Sequence, residues 1–153
     1  MKYRLLQGNK TKENHFVFGS IFLHDERLYR EELLNLYDIE VVEPLWNMKT
    51  AEVMQEFLQS GLKTIVVTTM AILLDQTYIG RFIDRSFVES FPDGVDICGE
   101  NGEYHTFFFD GAIFKYPVCY SLGAPFEFSH SVGMKDVTQQ TFNYWYADIN
   151  YVK

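Results

Sequence analysis

The chain of 153 residues carries 13 Lys+Arg against 21 Asp+Glu, a formal charge of −8, with 47% hydrophobic, 17% aromatic and 22% charged residues. That is globular composition and excludes a disordered chain, and 14 Phe with 10 Tyr let even a small domain bury a sizeable core. The acid excess, with no Lys/Arg cluster and no apolar run near the roughly 20 residues of a membrane span, argues against nucleic acid and membrane as partners.

Cys98 and Cys119 make no disulfide framework, and no apolar segment of signal-peptide type follows Met1-Lys2-Tyr3-Arg4, so a reducing, cytoplasmic setting is expected. The length suits one domain or the latter part of a larger one.

Residues 1–15 are polar and irregular and read as a loosely packed arm. Phe16-Val17-Phe18-Gly19-Ser20-Ile21-Phe22 reads as a short buried strand. Asp25 is the expected N-cap of a helix with Leu28, Leu33, Leu36 and Tyr37 inward and Arg27, Arg30, Glu31 and Glu32 toward water. Ile39-Glu40-Val41-Val42 reads as a second strand, ended by Pro44. Thr50 is placed to cap a helix with an apolar face of Val53, Met54, Phe57 and Leu58, and Gly61 to stop it. Lys63-Thr64-Ile65-Val66-Val67-Thr68-Thr69 is β-branched in the manner of a strand buried on both faces. The alternation predicts an α/β arrangement to about residue 90 with a partly parallel sheet.

Beyond Pro92-Asp93-Gly94 the pattern turns to antiparallel β. Tyr104–Phe109 leads into Asp110-Gly111, a hairpin signal, with Ala112–Tyr116 as the return strand. Phe126–Val132 alternates at period two, and Phe142–Ile149 reads as a further strand.

The most unusual stretch is Asp96-Ile97-Cys98-Gly99-Glu100-Asn101-Gly102-Glu103-Tyr104-His105-Thr106. Two glycines let the backbone turn tightly and present Glu100 and Asn101 together, just before an apolar strand that anchors them. Carboxylates, an amide and an imidazole in one loop can bind an amine, hold Mg²⁺ or move a proton. The plainer reading is a loop whose polar groups satisfy their own backbone, and local chemistry leaves both open. Cys98 with His105 does not complete a zinc site, and Cys98 reads more readily as a buried thiol than as a nucleophile. Asp75 and Arg81 form a second group able to orient a phosphate or carboxylate, against a plainer reading of a cap at Asp75 and an Arg81–Asp84 surface pair. There is no GxxxxGK[ST], no GxGxxG and no Ser-Gly-Gly-x-Asp-Ser run, so no motif for cradling a triphosphate is present.

Several segments carry a resemblance, in order: Phe18-Gly19-Ser20-Ile21 with Tyr29-Arg30-Glu31; Pro44-Leu45-Trp46; Glu56-Phe57 to Gly61; Leu74-Asp75 to Gly80-Arg81 and Asp84; and Asp96 to Thr106 leading into Asp110-Gly111 and Phe114-Lys115. Over roughly residues 16–118 the chain resembles the diphthine–ammonia ligase family, PP-loop ATP pyrophosphatases also described as adenine nucleotide alpha hydrolase-like. Ser20 stands where that family usually has Asp, and Ile97 where it usually has Pro.

The resemblance implies an ATP- and Mg-dependent activation of a carboxylate as an acyl-adenylate, then displacement of AMP by ammonia. It implies residues 16–44 as the remnant of a HUP-type parallel-sheet domain and residues 45–153 as an α+β C-terminal domain with mostly antiparallel strands. By the same resemblance Glu100, Asn101 and Glu103 are the catalytic candidates. Asp75, Arg81, Cys98, Gly99, Gly102, His105 and Thr106 are substrate-side candidates, and Gly19 and Ser20 lie on the cofactor side.

Two functions follow. One is an amide ligase whose phosphate loop comes from elsewhere, such as a partner chain; the other is a non-catalytic binding or assembly module. An open sheet edge near Phe16–Phe22 leads to an expectation of a homodimer.

Overall fold

The computed structural model describes residues 14–133 and 139–152, so most of the polar arm expected at 1–15 lies outside the described residues. The chain divides between Asn47 and Met48 into two compact units.

In the first unit β1 (His15–Val17) pairs in parallel with β2 (Glu40–Val42), in register His15↔Glu40 to Val17↔Val42, and α1 (His24–Asn35) packs against β2. The expectation of a buried strand over 16–22 is corrected. β1 is three residues long and exposed throughout, because a strand with one neighbour and so few paired residues has little to bury against. Asp25 is not the cap of α1. The helix starts at His24 behind Leu23, without a side-chain cap, and Asp25 sits inside the first turn, where its charge suits the helix dipole.

The inward face of α1 also differs from the apolar pattern. Leu34 is buried, while Leu28, Leu33, Leu36 and Tyr37 are exposed. Arg27 and Arg30 turn partly inward instead, because aromatic rings and a buried acid receive them: Arg27 stacks 4.6 Å from the Trp46 ring and Arg30 4.6 Å from the Phe18 ring.

The second unit opens with α2 (Thr50–Gln59). Thr50 is its first helical residue rather than its cap, which is Lys49 without a side-chain bond. Met54 is buried and Gly61, at φ +74°, stops the helix as its position predicts. β3 (Lys63–Met70) is the deepest strand, with Thr64, Ile65, Val66, Thr68 and Thr69 all buried, in keeping with its β-branched composition.

Its pairing is antiparallel on both sides, to β4 (Tyr104–Asp110) and to β7 (Gln139–Tyr146), so the parallel pairing expected before residue 90 is found only in β1–β2 among the described residues. Between β3 and β4 the helical structure is a 3₁₀ turn (Gln76–Tyr78) and the five-residue α3 (Arg85–Glu89), and the Asp96–Glu103 loop then feeds β4 back alongside β3 in the opposite direction.

The main sheet runs β4-β3-β7-β6, with β6 spanning Phe126–Gly133, and β5 (Tyr120–Leu122) pairs separately with β8 (Ile149–Tyr151). The Asp110-Gly111 hairpin is also corrected, because residues 112–116 form turns and bends and no return strand. Asp110 instead receives a 2.7 Å ion pair from Lys63, and Gly111 lies so close to Leu62 that a Cβ would sit 2.7 Å from its Cα. The turn chemistry therefore closes β4 onto the start of β3. The strand read over 142–149 divides into β7 and β8.

Val66, Leu74, Phe87 and Tyr104 form the core of this unit, with Tyr78, Ile79, Ile83, Phe91 and Ile97 packed around them. Phe87 is fully buried between the rings of Phe91 (5.0 Å) and Tyr104 (5.7 Å). Among the described residues no helix is long and apolar enough to cross a membrane.

Candidate functional site

The loop from Asp96 to Glu103 enters β4 through two consecutive turns. Gly99 N–H donates to Asp96 O and Gly102 N–H to Gly99 O, each at 3.0 Å, with Gly99 at φ +70° and Gly102 at φ +83°. Only glycine adopts that backbone readily at both positions. The glycines bracketing Glu100-Asn101 thus do what their spacing implies.

Glu103 holds the loop together from inside. It is 4% exposed, and its carboxylate accepts from Asn101 N–H (2.8 Å), Asn101 Nδ2 (2.9 Å) and Asp96 N–H (3.3 Å). A buried carboxylate is tolerated where donors surround it. Asp96 in turn accepts from Glu100 N–H at 3.0 Å. The corner is tied to the sheet as well: Met70 N–H donates to Glu103 O at 2.8 Å, and the Tyr104 hydroxyl to Ile97 O at 2.5 Å. Burial, with smaller contributions from Cys98, Asp96 and Glu103, raises the Tyr104 hydroxyl well above the ordinary phenol range.

Cys98 Sγ donates to Thr50 O at 3.2 Å, and its thiol is pushed up to about 12 by burial, aided by the charges of Asp96 and Glu100. At neutral pH it is a protonated packing group. Asn101 is exposed and Glu100 half-buried at the outer corner, while His105 is exposed and Thr106 half-buried on β4. The arrangement is a rigid polar corner: an acid and an amide side chain on a backbone fixed beforehand.

Asp75 and Arg81 have local tasks. Asp75 caps the 3₁₀ turn, accepting from Thr77 N–H (2.8 Å) and the Thr77 hydroxyl (2.5 Å), bonds that hold its carboxyl below the ordinary range, the hydroxyl's first. Arg81 stacks 4.9 Å from Tyr78 and 5.3 Å from Phe87 and donates to Ser90 Oγ at 2.6 Å. It makes no ion pair with Asp84. Asp84 caps α3 through Ser86 Oγ (2.7 Å) and Phe87 N–H (2.9 Å), which lower its carboxyl in that order.

In the first unit, Gly19 is exposed, and buried Ser20 accepts from the Arg30 guanidinium. Sequence reasoning missed Glu43. Its side chain is 2% exposed and lies 3.5 Å from both Arg27 Nε and Arg30 Nη1. The weak signal was a lone acid between Val41-Val42 and Pro44. Ser20 is engaged by Arg30, and the first turns of α1 and α2 carry Asp25, Glu26 and Glu52. Among the described residues no three His, Cys, Asp or Glu side chains gather as a metal site.

An antiparallel sheet with flanking helices, fed by an acid-pinned glycine loop, defines the second unit. The family model described as diphthamide synthase C-terminal domain matches residues 49–139, the loop included, and the chain belongs to that family. It is similar to the diphthine–ammonia ligases of Bos taurus, 30% identical over 120 residues, and of Homo sapiens, 28% over 120; each match covers 74% of this chain and 45% of the relative. The Danio rerio ligase is 28% identical over 102 residues, covering 63% of this chain and 40% of the relative. The chain thus spans less than half the length of these relatives.

Proposed function

We propose that this chain is the substrate-side part of an ATP-dependent amide ligase of the kind its relatives' name describes, joining ammonia to diphthine, and that these 153 residues do not turn over ATP unaided. The observation that carries this reading is the double tie from Asn101 to buried Glu103 inside the matched region. It orders the Glu100-Asn101 corner before any ligand arrives, which is how a site avoids the entropy of assembling around its substrate. In this reading Glu100 and Asn101 touch the substrate, Glu103 positions them, and His105 and Thr106 extend the surface along β4. Gly99 and Gly102 shape the turn, Cys98 anchors it through Thr50 O, and Asp75 and Arg81 order the 3₁₀ turn and α3. The parallel β1–α1–β2 segment is the remnant of a HUP-type nucleotide domain, with Gly19 and Ser20 following its first strand. Mg-ATP is held by a phosphate loop that another chain or segment supplies.

A second reading, a non-catalytic binding or assembly module, is favoured by the acids in the first turns of α1 and α2. Calorimetric titration separates the two. Mg-ATP gives no heat with this chain alone in either reading, and micromolar binding overturns the claim about turnover. A diphthine-bearing protein binds in the first reading, and Asn101→Ala weakens it about tenfold, or about 1.4 kcal/mol, in a chain that remains folded. Absence of binding by the unmodified chain selects the second.

A further inference from the structure

A cavity of about 500 Å³ opens in the second unit, where the end of α2 faces the start of β3 and the residues leading into α3. Leu58 and Phe82 give it apolar walls, and both remain exposed, at 36% and 51%. Thr64 lines it from β3. That residue is 2% exposed, and its hydroxyl has no hydrogen-bond partner. A buried hydroxyl in that state is uncommon, and a bound acceptor relieves it.

The charges around the cavity are matched except for one. Lys63 is paired with Asp110 at 2.7 Å. The Asp84 carboxylate is committed to capping α3. Arg85 also lines the cavity, and its exposed guanidinium makes no hydrogen bond, ion pair or ring contact. Every other Lys or Arg among the described residues makes at least one. In a chain of charge −8 an idle cation stands out, because acids to neutralise it are plentiful.

Gln55 and Gln59, one helical turn apart on α2, add amide groups from the facing wall. A guanidinium presents parallel N–H donors that match a planar carboxylate. One unmatched positive charge suits a monoanion better than a phosphate dianion. The Leu58 and Phe82 walls suit a hydrocarbon or ring attached to that anion.

We propose that this cavity binds a small organic carboxylate, with Arg85 forking the carboxylate, the Thr64 hydroxyl donating to it, and Leu58 and Phe82 flanking its apolar part. The cavity lies at the other end of β3 from the Glu100-Asn101 corner. That corner is tied to the sheet at Met70, and about 20 Å of strand separates Met70 from Thr64. The carboxylate site therefore stands whether or not the chain takes part in amide ligation.

NMR titration of the isotope-labelled 153-residue chain with sodium benzoate tests this. Benzoate is expected to shift the Thr64 and Arg85 amide resonances saturably. Benzamide, of similar shape without the charge, is expected to bind about tenfold more weakly. Arg85→Gln, at an exposed position, is expected to weaken benzoate about tenfold. Thr64→Val is expected to weaken it about threefold without lowering the melting temperature, because the hydroxyl removed is unpaired. Lys115→Gln, an exposed cation elsewhere, leaves benzoate binding unchanged. The absence of a saturable shift at Thr64 and Arg85 overturns the proposal, as do equal affinities for benzoate and benzamide or unmodified affinity in either site variant. Tighter binding of phenyl phosphate than of benzoate, or loss of benzoate through Lys115→Gln, overturns it as well.

Discussion

Asn101 donates to Glu103 twice, from its backbone N–H at 2.8 Å and from its side-chain amide at 2.9 Å, to the two different oxygens of one carboxylate. Two residues so close in sequence face each other because Gly102 turns between them at φ +83°. The loop's polarity is thereby divided: Glu103 works inward, Asn101 lies at the surface and Glu100 is half-buried at the outer corner.

This division orders three substitutions. Glu103→Gln exchanges a carboxylate oxygen for an NH₂ among three N–H donors, so it is expected to lower stability by about 1–3 kcal/mol. Asn101→Ala removes one of two bonds from an exposed residue and is expected to cost about 1 kcal/mol or less. Glu100→Gln leaves the Glu100 N–H bond to Asp96 in place and is expected to cost less than Glu103→Gln. Urea unfolding at pH 7 measures all three, and equal losses would contradict the division.

The two loop glycines differ in surroundings. A Cβ at Gly99 would sit 2.9 Å from Tyr104 Cε1 and 3.1 Å from Tyr104 O, whereas Gly102 opens onto empty space. Gly102→Ala is expected to cost about 1 kcal/mol, from positive φ alone. Gly99→Ala is expected to cost more, because the buried Tyr104 must move. Thermal unfolding ranks them, and a Gly102→Ala loss equal to or above that of Gly99→Ala would contradict the packing.

The cysteines should separate by reactivity and pH. Cys119 is exposed, whereas the buried Cys98 thiol is raised to about 12. At pH 8 a disulfide reagent is expected to modify Cys119 promptly and Cys98 only as the fold opens. A raised folded-state value favours the protonated native thiol. Its contribution is complete below the unfolded value of 9.0 and declines as pH rises toward about 12, where the unfolded chain binds fewer protons. Unfolding free energy should therefore fall across that window, with Tyr104 acting in the same direction. Cys98→Ser should reduce the slope, and an unchanged slope would assign the loss to other groups.

Legibility in the sequence followed locality. The Gly61 stop, the burial of β3 and the antiparallel character of the last third were readable because left-handed glycines, β-branched runs and period-two alternation act over a few residues. The inward turn of Arg27 and Arg30 was not readable, because it depends on Glu43, Phe18 and Trp46, partners no periodicity announces. Asp110-Gly111 carried a true turn signal and still made no hairpin, because Lys63 and Leu62 are its neighbours in space.

Read alone, the sequence determined the family and the tight double turn around Glu100-Asn101, since motif and glycine placement are properties of the chain's own order. Only the tertiary structure decided which acid of that loop is buried and which lie at its surface. Burial is settled by what packs behind a residue, and the sheet behind Glu103 comes from strands far away along the chain.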